Sequence, residues 1–258
     1  FVFCTLVMMM QLHFLLNTRE LGIERHNVGA VVYCSENIPF KEIVSQIPEV
    51  SECLNGFHTP IPKMFYSTYR VKEWDGKTTD GEQCIDLEDE TINQDYADFF
   101  GVEVLDGSML DEKDGKDKVV INEAAVKVFG WTQPVGKKIA KLGKQYIVKG
   151  VIKNISYNAP IHPVAPAMFH LPDSRDRGGP IFKVKEGTWN IVSEKIKAEV
   201  NKVNPDAELM LSNIEEVYDA YMKSERTLCK LLSVVSAICI LIAVFGIFSL
   251  VTVSYTHL

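Results

Sequence analysis

Three sets of residues are of the right type to do chemistry, and none has the spacing that its chemistry requires. The segment Gly130-Trp-Thr-Gln-Pro-Val-Gly136-Lys137-Lys138 resembles a phosphate-cradling glycine loop, in which backbone N–H groups hold phosphates, a lysine reaches the outer one and a hydroxyl binds magnesium. Five residues separate its glycines where four are needed, and Lys138 stands where a Ser or Thr belongs. The carboxylates Asp86, Glu88, Asp89, Glu90, Asp95 and Asp98 contain enough groups for an acid and base pair, yet a run with no selected spacing reads as a solvated acidic face. The six cysteines include no C-x-x-C or C-x-x-x-C pair, and His162 and His170 have a separation that neither a helix nor a strand face brings together. G-x-S-x-G, H-E-x-x-H and S-x-x-K are all absent. The residues therefore nominate no catalytic, cofactor-binding or metal site and call for no cofactor.

The elements that would have to position such groups are mixed. Val28 to Tyr33 reads as a β-run. In the next stretch Phe40, Ile43, Val44 and Ile47 take helical spacing between Pro39 and Pro48, as a helix docked over a sheet does. Strands are expected at Lys63 to Val71, Gln83 to Leu87, Val119 to Ile121, Ala165 to His170 and Ile181 to Lys185, with a hairpin over Lys137 to Ile152 turning near Leu142-Gly143. Gln94 to Phe100 forms a short helix stopped by Gly101. Asn122 caps a second that Gly130 ends in the left-handed conformation. Thr188 to Val203 sets Trp189, Val192, Ile196, Val200 and Val203 on one stripe, Asn204-Pro205 breaks it, and Ala207 to Leu211 returns as a strand. Ser212 with Glu215 fits a capping box. No Pro or Gly interrupts the path from Asn213 to Val244, which predicts one continuous helix. The fold class is α+β.

Both ends of the chain are apolar. Leu231 to Tyr255 carries no charged side chain in a sequence that is 24% charged. As a helix of about 25 residues it spans roughly 37 Å, longer than the ~30 Å hydrocarbon core of a bilayer. A charge at the centre of such a helix costs about 2.5–3.5 kcal/mol, so a membrane span is expected with Leu231, Ile238, Ile242, Phe245, Gly246 and Leu250 in lipid. Phe1 to Leu16 is apolar apart from Gln11 and His13, lacks the basic start and small-residue exit of a signal peptide, and reads as a truncated membrane helix. The expected organisation is residues 1–16 as a first span, 17–227 as a folded domain on one side of the membrane, 228–255 as a second span and 256–258 as a truncated end. Neither span keeps a flank from which charge could give orientation.

The formal charge of −7 argues against a nucleic-acid footprint, which needs a broad basic surface. Charge is segregated: Asp80 to Asp117 is acidic, whereas Lys118, Lys127, Lys137, Lys138, Lys141, Lys144, Lys149 and Lys153 face only Glu123. Solvated faces are the ordinary reading, with pairing inside the domain or between neighbours as the alternatives. Cys34, Cys53 and Cys84 lie outside the apolar segments, so they can form at most one bridge among themselves.

The order of an apolar helix, LLNTRELGIERHNV (Leu15 to Val28), YADFFGVEVLDGSML (Tyr96 to Leu110), KVVINEAAVKVFGWTQPVGKKI (Lys118 to Ile139) and a final span with AVFGIFSLVTV (Ala243 to Val253) resembles the MacB/FtsX-type permeases of ABC transport systems. The resemblance covers almost the whole chain. It implies a mixed extracytoplasmic core domain of two subdomains between two membrane helices, in the inner membrane of a multi-pass protein. It also implies a separate cytoplasmic ABC ATPase subunit as partner, a homodimer or paired permease, contact with membrane lipid, and no enzymatic activity in this chain. Such permeases continue past the second span with a basic stretch and further helices, and Ser254 to Leu258 departs from that pattern. The helix from Asn213 through Val251 is then expected to transmit motion, with Tyr218, Tyr221, Met222 and Glu225 as stalk residues. The alternative is a two-span sensor, such as a receptor kinase, with an outer ligand-binding domain; an outer-domain hydrolase stands third.

Overall fold

The structure, a computed structural model, describes residues 2–16, 22–35, 38–55, 57, 59–60, 67–79, 84–156, 163–173 and 179–256. The start of the strand expected from Lys63, the Gln83 end of the next and His162 lie outside these residues. Along the chain, α1 (Val2–Leu16) is followed by β1 (Val28–Cys34), α2 (Phe40–Ser45), β2 (Val50–Leu54), β3 (Thr68–Val71), β4 (Glu73–Trp74) and β5 (Lys77–Thr78). Next come β6 (Ile85–Thr91), α3 (Gln94–Phe100), β7 (Val104–Gly107), β8 (Lys118–Asn122), α4 (Glu123–Phe129), β9 (Lys138–Lys141) and β10 (Lys144–Ile152). The chain closes with β11 (Ala167–His170), β12 (Ile181–Val184), α5 (Trp189–Val203), β13 (Leu209–Asn213), α6 (Ile214–Tyr221) and α7 (Lys223–Thr256).

Two sheets organise residues 21–218, which form one compact unit. The first has the order β13-β1-β12-β2, all neighbours antiparallel. It is made of two βαβ units, β1-α2-β2 and β12-α5-β13, each straddling a strand of the other, which is the split βαβ arrangement of ferredoxin-like folds. Strand alternation gives it two buried faces. Val31, Phe182 and Val184 meet the stripe Val192, Ile196 and Val200 of α5 and Val44 of α2, while Val28, Ala30 and Ile181 point the other way. At Gly29 a Cβ would stand 2.3 Å from the Trp189 ring, so this strand position admits no side chain.

Everything from β3 to β11 is an insertion between those two halves and builds a nine-stranded sheet, β3-β6-β11-β8-β10-β9-β4-β5 with β7 on β10. Its β6–β11 and β8–β10 pairs are parallel, and the other pairs are antiparallel. One stretch of chain supplies both ends: β3 bonds β6, β4 bonds β9, and only Lys72 lies between β3 and β4. The sheet therefore curls back on itself. Val71, Trp74, Leu87, Val119, Ile139, Val148 and Met168, from seven different strands, share one buried cluster with Ala125 and Phe129 of α4. The turn between β9 and β10 sits at Leu142 and Gly143, with φ of 50° and 77°. Such a two-residue turn of positive φ matches the twist of the strands it joins.

A third cluster belongs to both sheets. Tyr96, Phe99 and Phe100 of α3 pack with Val120, Ile152 and Phe169 on one side and with Val28, Ala30, Ile181 and Ile214 on the other. The two subdomains expected from the sequence are therefore joined through a shared core. Asn93 caps α3 by accepting from the Tyr96 N–H, and Gly101 ends it with φ of 66°. Asn122 does more than cap α4: its Oδ1 accepts from Ala125 N and from Ala167 N, and its Nδ2 donates to Ala165 O, tying the helix start to β11.

Part of the charge segregation resolves as pairing inside the domain. Lys141 contacts Asp89, Lys137 lies 2.5 Å from Asp75, Lys149 2.5 Å from Asp114 and Lys153 3.1 Å from Glu103. Burial works against the Asp114 carboxylate, but the Asp111 backbone N–H and the Lys149 ammonium outweigh it and hold its pKa below the usual range. Cys34, Cys53 and Cys84 are free thiols, and burial pushes the Cys53 thiol up.

Two expectations are corrected at the end of the domain. Asn213, not Ser212, caps α6, its Oδ1 accepting from Glu215 N and Glu216 N. An Asx side chain one residue closer to the helix reaches those N–H groups directly. The helix predicted from Asn213 through Val251 is interrupted by a turn at Met222 between α6 and α7. Helical propensity over Met-Lys-Ser-Glu gave no sign of this, because no Pro or Gly marks the turn. The interruption is bridged: Asp219 pairs with Arg226 at 2.6 Å, and Arg226 N donates to Met222 O.

The second compact unit comprises residues 1–20 and 219–258. Its helices α1 and α7 pack on each other, with Thr5 Oγ1 and Ser236 Oγ 2.5 Å apart and both side chains buried. Within α7, the 24 residues Arg226–Ser249 contain an 18-residue window with a mean hydropathy of 2.9, and this is the one helix among the described residues long and apolar enough to cross a membrane.

Candidate functional site

The curled sheet leaves a cleft of about 880 Å³ at one end. Strand ends and the turns beside them build it. Asp89 comes from β6, His170 and Leu171 from the end of β11, Lys116 and Asp117 from the approach to β8, and Leu142 to Tyr146 from the β9–β10 hairpin. A cleft of this size at the mouth of a rolled sheet is a place where small molecules bind in other folds.

The hairpin tip is pinned across the cleft to the opposite strands. Lys141 Nζ contacts Asp89 Oδ2 with both side chains largely buried, and the same ammonium lies 5.6 Å from the centre of the Tyr69 ring. Leu142 N donates to Tyr69 Oη at 2.9 Å. Lys116 pairs with Asp173 at 3.5 Å near the rim. His170 Nδ1 is 2.8 Å from Leu171 O. A carbonyl only accepts, so Nδ1 carries the proton. Its other nitrogen, Nε2, is 3.7 Å from Asp89 Oδ1, a buried oxygen with no hydrogen-bond partner among the described residues.

Among the described residues the cleft is lined by three lysines, three aspartates, His170 and Tyr146, groups that pair with charged ligands and exchange protons. Among the described residues no three His, Cys, Asp or Glu groups come together as metal ligands do. The glycine-loop look-alike ends α4 at Gly130 and runs into strand β9 at Lys138. A P-loop opens a helix after its second glycine, whereas this segment runs into a strand and so lacks that geometry.

None of the cleft residues is legible as a site in the sequence. The one signal was the reversal of charge between the acidic and basic stretches, which meet here as Asp89 with Lys141. Of the stalk residues, Tyr218 is buried, its ring lies 3.9 Å beneath the Arg25 guanidinium, and its hydroxyl donates to Ser156 O at 3.3 Å. His26 and Glu215 lie 3.0 Å apart beside it. Tyr221 is exposed, Met222 is buried at the turn, and Glu225 falls in the first turn of α7. Leu231, Ile238, Ile242 and Phe245 are exposed along α7, a Cβ on Gly246 would meet nothing within 4 Å, and Leu250 lies in the same helix.

No known family's sequence profile matches this chain, and no curated protein is found as a relative. Solved structures do resemble it. The periplasmic region of MacB from Actinobacillus actinomycetemcomitans aligns over 80% of this chain and 95% of its own length, with a TM-score of 0.52 at 13% identity. A domain of a protein assigned as a permease from Porphyromonas gingivalis aligns over 74% of this chain and 92% of its own, with a TM-score of 0.50 at 14% identity. The extracellular domain of the noncanonic ABC-type transporter YknZ from Gram-positive bacteria aligns over 71% of this chain and all of its own, at a TM-score of 0.48 and 16% identity. By fold, this chain carries the α+β architecture of a MacB-type periplasmic domain.

Proposed function

We propose that this chain is part of the permease of an ABC transport system, with residues 22–218 outside the cytoplasmic membrane and α1 and α7 within it. The observation that carries the reading is a succession in one chain. A domain with the fold of the MacB periplasmic region leads through α6 into an apolar helix whose 24 residues cover about 36 Å, enough for the hydrocarbon core. The chain itself is not an enzyme in this reading. A separate cytoplasmic ATPase subunit supplies the energy, and the permease works as a homodimer or paired with a second permease.

Motion passes through α6, the turn at Met222 and α7. Because Asp219 and Arg226 bridge that turn, the joint resists bending without being a continuous rod. Arg25 on Tyr218 and His26 beside Glu215 hold the start of the domain against α6, its last helix. Membrane extraction tests the location: the full chain is expected to stay with the membrane until detergent is added, and recovery in the soluble fraction rejects the reading. Replacing Met222 and Lys223 by Gly-Gly tests the coupling. Transport is expected to fall while assembly with the ATPase persists, and unchanged transport rejects transmission through this joint.

A further inference from the structure

We propose that strand β13 is a docking edge for a second copy of this chain, and that the smaller sheets of the two copies join through it into one continuous sheet. The proposal deepens the paired permease described above and rests on that reading, which supplies the second copy. β13 ends the order β13-β1-β12-β2, and no strand among the described residues bonds its outer side. Ser35 N donates to Glu208 O, and Glu208 N donates to Ser35 Oγ, so the Glu208 backbone faces β1. Backbone polar groups alternate along a strand, which turns the N–H and C=O of Leu209 and Leu211 outward. Free edges are ordinarily guarded by Lys, Pro, a bulge or a charge. β13 reads Leu-Met-Leu-Ser-Asn and has none of these, and the register shift between Val31 and Tyr33 places the bulge in β1. The opposite edge, β2, is guarded: Glu52 stands exposed on it and pairs with Lys183 at 3.3 Å.

Self-complementarity selects a second copy as the occupant. About a two-fold axis at Met210, an antiparallel partner sets Leu209 against Leu211 of the second copy and Met210 against its own counterpart. The outward groups of Leu209 and Leu211 then make two hydrogen-bonded pairs, with Met210 as the non-hydrogen-bonded pair between them. Leu209 and Leu211 pack against the cluster that α5 covers, so their pairs extend that core across the joint. Met210 and its neighbour Tyr33, both more than half exposed, meet their counterparts on the other face. Glu208 falls opposite Ser212, so no like charges meet.

Disulfide trapping in membranes tests the edge. Met210→Cys is placed in the full chain with its six native cysteines changed to serine. Cross-strand Cα atoms at a non-hydrogen-bonded position lie about 4.5 Å apart, within disulfide reach. Mild oxidation is expected to link most chains carrying Met210→Cys into dimers and to leave those carrying Ser51→Cys, on β2, unlinked. Equal linkage at both positions overturns the proposal. Wild-type chains treated with a lysine-reactive cross-linker separate the two readings. Dimers there, with Met210→Cys unlinked, overturn the β13 edge and keep the paired permease; dimers in neither experiment overturn both. A second measurement needs no cysteine changes. In lipid vesicles the Leu209 and Leu211 amides are expected to exchange about tenfold faster in Met210→Lys, an exposed substitution that puts like charges on the axis, than in the wild type. Equal rates overturn the proposal.

Discussion

Residues 22–218 hide their apolar side chains and display their charges, whereas the α1 and α7 pair does the opposite. In the domain, Phe100, Leu87, Ile121 and Phe182 are fully buried while most of its ion pairs sit at the surface. In the helix pair, Phe3, Met10, Ile242, Phe245 and Phe248 are two-thirds exposed or more, and the buried groups include the hydroxyls of Thr5 and Ser236. Exposed apolar surface on this scale marks a face that meets lipid or another protein. In lipid the hydrophobic effect does not drive helices together, so small and polar residues make the contact. The contrast is what the proposed placement of α1 and α7 in lipid and of the domain in water calls for.

The comparison breaks most visibly at its strongest points. Phe100→Ala, in the core shared by both sheets, is expected to lower domain stability by about 3–5 kcal/mol, read as a fall in denaturation midpoint with an unchanged slope. Ile238→Lys is expected to cost about 2.5–3.5 kcal/mol of membrane insertion, scored as loss of the spanning topology in a translocation assay. The matched change Val128→Lys, on the exposed side of α4, should move stability by no more than about 0.5 kcal/mol. Equal effects at Ile238 and Val128 would erase the two-solvent distinction. Asn122→Ala removes three hydrogen bonds at once and is expected to cost about 2 kcal/mol of thermal stability. The smallest effect belongs to Thr5→Ala with Ser236→Ala. A double-mutant cycle in bilayer should return a coupling near 0.6 kcal/mol.

Local signals in the sequence agree with the structure where their cause is local. Asn122 and Gly130 bound α4, Gly101 ends α3, and Leu142-Gly143 turns the hairpin, because each acts on backbone groups within four residues of itself. The same logic failed at Ser212, where the adjacent Asn213 is the better-placed acceptor, and at Met222, where no residue type announces a turn. The split sheet was not legible at all. β1 pairs with strands some 150 to 180 residues away, and nothing in Val28–Cys34 encodes those partners.

The candidate cleft shows the same boundary. Asp89, Lys141 and His170 are separated by up to 81 positions, and their meeting follows from a sheet that returns on itself through β3 and β4. The amino-acid order alone determined the solvent preference of each segment, the helix stops and the hairpin, since transfer free energy and backbone conformation are properties of neighbours. Tertiary structure alone decided which strands share an edge, which charges neutralise one another and which oxygen is left unpaired. Those outcomes depend on distances that only the closed core brings within hydrogen-bond range.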